Sequence, residues 1–185
     1  MTDANGIAEV LGFWFAPERR KDWFEASEHF DAEVRRVLGP WHDAAASGRL
    51  LTWRENAEGA LALCILLDQV PRNMFRGTPR AFATDPQARA VAHHAVEHGF
   101  DLAFEDQDRR IFVYLPLEHS EEPADQELCV ALCRERIDDA EYLRYVERHR
   151  EIIARFGRFP HRNRILGRES TPEEAAFLAE PFSSF

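Results

Sequence analysis

The sequence predicts an all-α protein of about eight helices in antiparallel pairs. Apolar residues recur at the three- and four-residue spacing of an amphipathic helix, as Ile7, Val10, Leu11 and Trp14 show at the start of the chain. Capping residues and glycines bound most of these stretches. Strand signals are missing: apolar residues do not alternate, and no Asn-Gly or Asp-Gly turn separates two β-branched runs.

The first half of the chain is expected to hold four helices. Residues 3–16 form the first, and Ser27 caps the second. Pro40 is expected to start a short helix that Gly48 ends. Residues 55–68 are apolar on most sides, which predicts a buried central helix.

The second half shows clearer start and stop signals. Asp85-Pro86 is expected to open a helix that Gly99 closes, and Pro116 is expected to end a helix at 107–115. Three more helices follow at 124–136, at 139–156 between Asp138 and Gly157, and at 172–179 behind the capping box of Thr171 and Glu174.

Composition limits the classes of function. A chain of 185 residues with 45% apolar residues predicts a single folded domain over residues 1–185. Its net charge of −10 argues against general nucleic-acid binding, which needs a basic face. No segment approaches the roughly 20 apolar residues of a membrane helix. The N-terminus has no secretory pattern, so we expect a cytoplasmic location.

Positive charge is concentrated in two segments that resemble each other. Residues 68–78 and 159–171 each contain a proline, an Arg-Asn pair, an arginine next to a glycine, and a threonine. Residues 72–80 carry three arginines and no acid, and residues 155–168 carry five arginines and no acid. The remainder of the chain therefore sums to −18, which is −10 minus +8. Such concentration in an acidic protein indicates a binding site or a structural network of ion pairs.

An acidic segment complements the two basic ones. Residues 116–127 carry five carboxylates, no base, and one histidine. If the three segments converge, they form a pocket for a small anionic ligand bearing phosphate or carboxylate, since guanidinium groups bind both. The candidate proton-transfer residues are His161, Glu118 and His119. The candidate ligand-binding residues are Asp68, Gln69, Arg72, Asn73, Arg76, Arg158, Arg162, Asn163 and Arg168.

The structural alternative uses the same residues. Arginine and asparagine side chains often hold irregular loops together, and Glu118, Glu121 and Asp68 would then pair with them internally. The sequence supports the two interpretations equally.

Metal-dependent hydrolysis is a third hypothesis. Residues 94–98 match the H-x-x-E-H pattern of inverted zinc peptidases, although the motif ends at Gly99 and lacks a third ligand. A second set has suitable ligand types but no known spacing: Glu118, His119, Glu122, His149 and His161. We assign no metal and no cofactor. Cys64, Cys129 and Cys133 are expected to be reduced thiols.

The chain resembles the bacterial domain-of-unknown-function family 924 over nearly its whole length. The resemblance rests on residues 10–15, 66–78, 81–85 and 114–121, and above all on 155–163 with 166–171. It implies a tetratricopeptide-like array of helix pairs and no established activity. The groove of such an array would suit peptide or protein binding, so an interaction module with an Arg-lined groove is an alternative function.

The last four residues, 182–185, contain two phenylalanines. They would pack back on their own chain or on a second copy, so a homodimer is possible.

Overall fold

The computed structural model describes residues 3–181 and residue 183, and it confirms the all-α class. Nine α-helices and no strand occur in this part of the chain. No helix in it combines the length and the apolar content needed to cross a membrane. Phe182 and Phe185, on which the dimer hypothesis rests, lie outside the described residues. The tetratricopeptide-like pairing of helices stays a prediction.

The chain groups into two compact units. Unit 1 comprises Met1–Arg76 and Arg80–Pro116, and unit 2 comprises Gly77–Pro79 and Leu117–Phe185. The single domain expected from chain length stays a prediction.

Unit 1 is built around a buried central helix. Its helices are α1 (Asp3–Trp14), α2 (Glu28–Ala46), α3 (Ala57–Cys64), α4 (Val70–Met74), α5 (Asp85–Glu97) and α6 (Gln107–Glu118), whose last two residues belong to unit 2. Both α1 and α5 pack against α3, and every residue of α3 from Gly59 onward is buried. Short 3₁₀ turns at Pro17–Asp22, Leu51–Glu55 and Phe100–Ala103 were not predicted.

Two prolines lie inside helices, and the prediction that they mark helix boundaries is wrong. Pro40 is internal to α2, and Pro116 lies in the last turn of α6. A proline removes one backbone hydrogen bond from a helix. In α2 the buried face continues from Phe30 and Leu38 to Ala45 beyond the proline. Burial of one continuous face therefore outweighs the lost bond.

A π-helical turn, Ile65–Gln69, joins α3 to α4, where the sequence predicted one regular helix. Pro71 has no N–H, so one carbonyl about one turn before it lacks its usual backbone donor. Two carbonyls of the turn instead accept hydrogen bonds from Nδ1 of His42 at 2.8 Å and from Oγ1 of Thr84 at 2.6 Å. Side chains distant in sequence therefore complete this turn.

Unit 2 contains α7 (Pro123–Arg136), α8 (Ala140–Phe156) and α9 (Pro172–Phe177), with a 3₁₀ turn at Pro160–Arg162. Helices α7 and α8 pack against each other, and Ile152, Ile153, Phe159 and Phe177 form an apolar cluster.

Most of the helix caps predicted from the sequence are confirmed. The capping box of Thr171 and Glu174 and the left-handed Gly157 occur as predicted. Asp139, rather than Asp138, caps α8, and Thr84, rather than Asp85, is the residue before α5.

Candidate functional site

Arg72, in the first basic segment, forms an ion-pair network within unit 1. Its guanidinium donates two hydrogen bonds to Asp85, at 2.8 and 3.1 Å. The same group lies 2.7 Å from the carbonyl oxygen and 3.1 Å from the carboxylate of Asp68. Gln69 donates to the other oxygen of that carboxylate. These contacts fix the π-helical turn to the start of α5.

Arg76 and Asn73 share a second carboxylate in unit 1. Arg76 donates to both oxygens of Asp31 at 2.8 and 2.9 Å, and Asn73 donates to one of them at 2.8 Å. Burial alone would raise the pKa of Asp31, but the hydrogen bonds from Arg76 and Asn73 lower it overall. This contact joins α2 to the end of α4.

In unit 2, Arg158 and Asn163 of the second basic segment bind Glu174. Arg158 donates to its two carboxylate oxygens at 2.6 and 2.8 Å, and Asn163 donates at 3.3 Å. The backbone N–H of Thr171 adds a bond of 2.8 Å. The hydrogen bond from Arg158 is the main cause that lowers the pKa of Glu174 to about 2.

Arg168 joins the second basic segment to the acidic one. It donates to both oxygens of Glu121, at 2.7 and 3.0 Å, and its Nε donates to Asn163 at 3.0 Å. The backbone N–H of Phe159 binds the same carboxylate at 2.9 Å. These two predicted segments therefore meet within unit 2, whereas convergence with the first basic segment stays a prediction.

A buried carboxylate lies beside these ion pairs. Glu118 is 3% exposed and accepts a hydrogen bond of 2.7 Å from the hydroxyl of Tyr142 on α8. Its other oxygen lies 3.2 Å from Nδ1 of His149, which is 4% exposed. The amide of Gln126 on α7 donates to the backbone carbonyl of Glu118 at 2.6 Å. Both the side chain and the backbone of Glu118 are thus held in place.

Three nitrogen-bearing side chains surround the ring of Phe159. The ring centroids of His149 and His161 lie 5.5 and 5.7 Å from its centroid, and Cζ of Arg162 lies 4.4 Å from it. His119 of the acidic segment also belongs to this group, since its ring centroid lies 6.3 Å from that of His149. We call His119, His149, Phe159, His161 and Arg162 the imidazole–guanidinium cluster.

Burial, and at His161 also neighbouring positive charge, disfavours protonation of imidazole in this cluster. Burial, and then the neighbouring Arg162, lower the pKa of His161 from 6.5 to about 3. Burial also lowers the pKa of His149, although the carboxylate of Glu118 opposes this shift. His149 and His161 are therefore neutral at pH 7, and the charge of Arg162 adds to the effect of burial at His161.

The imidazole–guanidinium cluster lies within the part of the chain that matches a protein family. The family described as bacterial protein of unknown function (DUF924) matches residues 10–182. The chain belongs to DUF924. The resemblance found in the sequence is therefore confirmed.

The fold of this DUF924 chain also has a solved relative. A structure of a protein of unknown function from Agrobacterium tumefaciens is 43% identical in sequence, with a TM-score of 0.91. The match covers 96% of this chain and 99% of that chain. No curated protein matches this chain.

Sequence reasoning assigned no role to Tyr142 or Phe159 in this DUF924 chain, and it named His149 only as a metal ligand. Tyr142 and Phe159 each look like ordinary packing residues in the sequence. His149 carried a signal, since it shares the buried face of α8 with Val146 and Ile153. A histidine on such a face needs a polar partner, and Glu118 supplies it.

The metal hypothesis has little geometric support in this DUF924 chain. Among the described residues, no three His, Cys, Asp or Glu side chains lie close enough together to hold a metal ion. His98 follows the last residue of α5, and its Nδ1 lies 2.8 Å from the carbonyl oxygen of His94. The three cysteines are buried.

Proposed function

We propose that unit 2 binds a small ligand with a phosphate or carboxylate group at the imidazole–guanidinium cluster. One observation carries this proposal: His149, His161 and Arg162 share the ring of Phe159. The guanidinium of Arg162 offers N–H donors and positive charge beside this ring and its two imidazoles. Both features favour an anion.

The electrostatic argument supports the same ligand class. Burial is the main cause of the lowered pKa of His161, and the positive charge of Arg162, which adds to it, would attract a bound anion. The bound anion would in turn raise the pKa of His161. Binding should therefore strengthen as the pH falls, which a neutral ligand would not do.

The burial of Arg162 suits a site of high local field. Arg162 is 5% exposed, whereas Arg164, two residues on, is exposed. Charge interactions are stronger where water is excluded. The half-buried His119 and His161 border this region and would give a small ligand access from solvent.

Thermal unfolding in the presence of phosphorylated compounds and small carboxylates tests the proposal. A ligand at a hundred times its dissociation constant stabilises the fold by about 2.7 kcal/mol. For a chain of this size, the expected rise in Tm is roughly 5–10 °C.

Arg162→Lys and Arg164→Ala are the matched variants. Lysine keeps the charge of Arg162 but removes its fork of donors, so we expect the stabilisation to disappear in Arg162→Lys and to persist in Arg164→Ala. Circular dichroism confirms that both variants are folded. Equal stabilisation of both variants would place the anion elsewhere, and a lack of stabilisation by every compound would refute the proposal.

A further inference from the structure

The contacts of His149 determine which of its ring nitrogens carries the proton. Nδ1 lies 2.8 Å from the carbonyl oxygen of Tyr145, one turn earlier in α8. A carbonyl oxygen only accepts hydrogen bonds, so Nδ1 must be the donor. The carboxylate of Glu118, 3.2 Å from the same nitrogen, is a second acceptor. A neutral His149 therefore has its proton on Nδ1 and its lone pair on Nε2.

The carboxylate that faces His149 is itself oriented. The hydroxyl of Tyr142 donates to one oxygen of Glu118 at 2.7 Å, which leaves the other oxygen directed to His149. The pKa of the Tyr142 hydroxyl is raised by burial and by the charge of Glu118, so Tyr142 stays a donor at neutral pH. A carboxylate behind one nitrogen of an imidazole stabilises the imidazolium that forms when the other nitrogen takes a proton.

We infer that His149 is the proton acceptor of the proposed anion site through Nε2, and that Glu118 and Tyr142 are its positioning residues. This inference rests on the proposed function. The proton comes from an O–H of the bound anion or of a water molecule beside it. The O–H bond breaks, its electron pair stays on the oxygen, and an N–H bond forms at Nε2.

His149 suits this role better than the residues that the sequence suggested. Glu118 already uses its two oxygens for Tyr142 and His149. His161 has the positive charge of Arg162 beside it, which destabilises its imidazolium. For His149 burial opposes protonation, as do His119 and Arg162, but the carboxylate of Glu118 and the carbonyl of Tyr145 favour it.

Nitrogen NMR of the ¹⁵N-labelled full chain tests the tautomer, with His149→Gln to assign the signal. We expect Nδ1 to be protonated and Nε2 to be bare at pH 7. A proton on Nε2 would overturn the inference, whatever the protein binds.

The Glu118→Gln variant tests the positioning role, with the exposed Glu122→Gln as its matched control. Loss of the carboxylate should shift the titration of His149 downward by about one to three pH units, since an opposite charge at this distance shifts a pKa by that much. The titration should be unchanged in Glu122→Gln. Equal titration in both variants would overturn the positioning role of Glu118.

Added inorganic phosphate and malonate separate this inference from the proposed function. If either anion raises the Tm and shifts the Nε2 signal of His149, both are supported. If the Tm rises while that signal stays unchanged, the anion site stands and the role of His149 is overturned. If neither anion raises the Tm, the proposed function fails and the inference fails with it.

Discussion

Glu174 illustrates how one carboxylate can hold a loop without regular structure. It accepts two hydrogen bonds from Arg158, one from Asn163 and one from the backbone of Thr171. The bonds to Thr171 are local and form the predicted capping box. The bonds from Arg158 cross 16 positions of the chain.

We predict that Glu174→Gln destabilises the protein at pH 7 far more than at pH 3. The folded pKa of about 2 lies below the ordinary 4.5, so the stabilisation is complete above 4.5 and disappears as the pH falls toward 2. The expected loss in the free energy of unfolding is about 2 kcal/mol at pH 7 and less than half of that at pH 3. Urea denaturation at the two pH values measures it.

Glu173→Gln is the control for this prediction. Glu173 precedes Glu174 but its side chain is 64% exposed, so its ion pair with Arg155 contributes little to stability. If Glu173→Gln destabilises the protein as much as Glu174→Gln does, general charge effects rather than the buried contact explain the result.

Local contacts were predictable at the residue scale and distant ones were not. The capping box could be read from the spacing of Thr171 and Glu174, because capping depends on residues three apart. The acidic segment could be named as a partner of the second basic segment, but the pairing of Arg168 with Glu121 spans 47 positions. Such a pairing depends on how α7 and α8 pack against each other, which charge patterns alone do not encode.

At the scale of elements, the π-helical turn depends on side chains from elsewhere. The hydroxyl of Thr84 donates to the carbonyl of Leu67, and His42 binds that of Leu66. The sequence predicted a helix here because its apolar pattern is continuous. It did not reveal the π turn, since that turn follows from satisfying carbonyls before Pro71.

We predict that Thr84→Val destabilises unit 1 by about 1–3 kcal/mol, because the change keeps the shape and leaves a buried carbonyl without its donor. Thr84 is 7% exposed, whereas Thr52 is exposed and provides the matched control. Thermal or urea unfolding measures both variants. A loss no larger in Thr84→Val than in Thr52→Val would show that this hydrogen bond does not support the turn.

Replacing two glycines of different helices by alanine should change the stability of the protein in opposite directions. A Cβ at Gly59 of α3 would lie 2.0 Å from the carbonyl oxygen of Trp53, whereas a Cβ at Gly12 of α1 would meet nothing within 4 Å. We expect Gly59→Ala to destabilise by about 3 kcal/mol, since backbone must move. Gly12→Ala should stabilise by about 0.5–1 kcal/mol through helix propensity.

Urea unfolding of the two glycine variants compares them directly. Gly59 lies in the first turn of α3, which packs closely against the 3₁₀ turn Leu51–Glu55, and this is the contact under test. A stable Gly59→Ala protein would show that the turn can move away without loss.

For the whole molecule, net charge and local field have opposite signs. The chain carries −10, yet His161 is kept neutral by burial and by the positive charge of the adjacent Arg162. Composition argued against general nucleic-acid binding, and the sequence located the basic segment that contains His161 and Arg162, but it did not place His149 beside them. The fold adds this residue by bringing His149, His161 and Arg162 to the ring of Phe159.

The neutral histidines predict how the stability of the whole protein depends on pH. Folding holds the pKa of His161 at about 3, while the unfolded chain takes up a proton near 6.5. The unfolded state thus binds more protons between these values, so stability falls as the pH decreases from 6.5 toward 3. His161 alone should remove about 2 kcal/mol by pH 5. The lowered pKa of His149 acts in the same direction.

The carboxylates with lowered pKa values cause a second loss of stability at more acidic pH. Asp31, Glu121 and Glu174 have folded pKa values below their ordinary ones, so their stabilisation is lost only as the pH falls below about 4.5. Acid destabilisation should therefore begin with the histidines and continue with the carboxylates. Both steps have the same sign.

The His161→Gln variant separates the two steps. Glutamine does not titrate, so the free energy of unfolding should fall less between pH 8 and pH 5 than it does in the wild type, by about 2 kcal/mol. Only below about pH 3, where His161 is protonated in the folded chain as well, should the two profiles fall together, because the carboxylates are intact in both. Urea denaturation at intervals of pH measures the profiles. Parallel curves from pH 8 to pH 5 would mean that His161 takes up its proton equally in the folded and unfolded chain, and that burial and Arg162 do not lower its pKa.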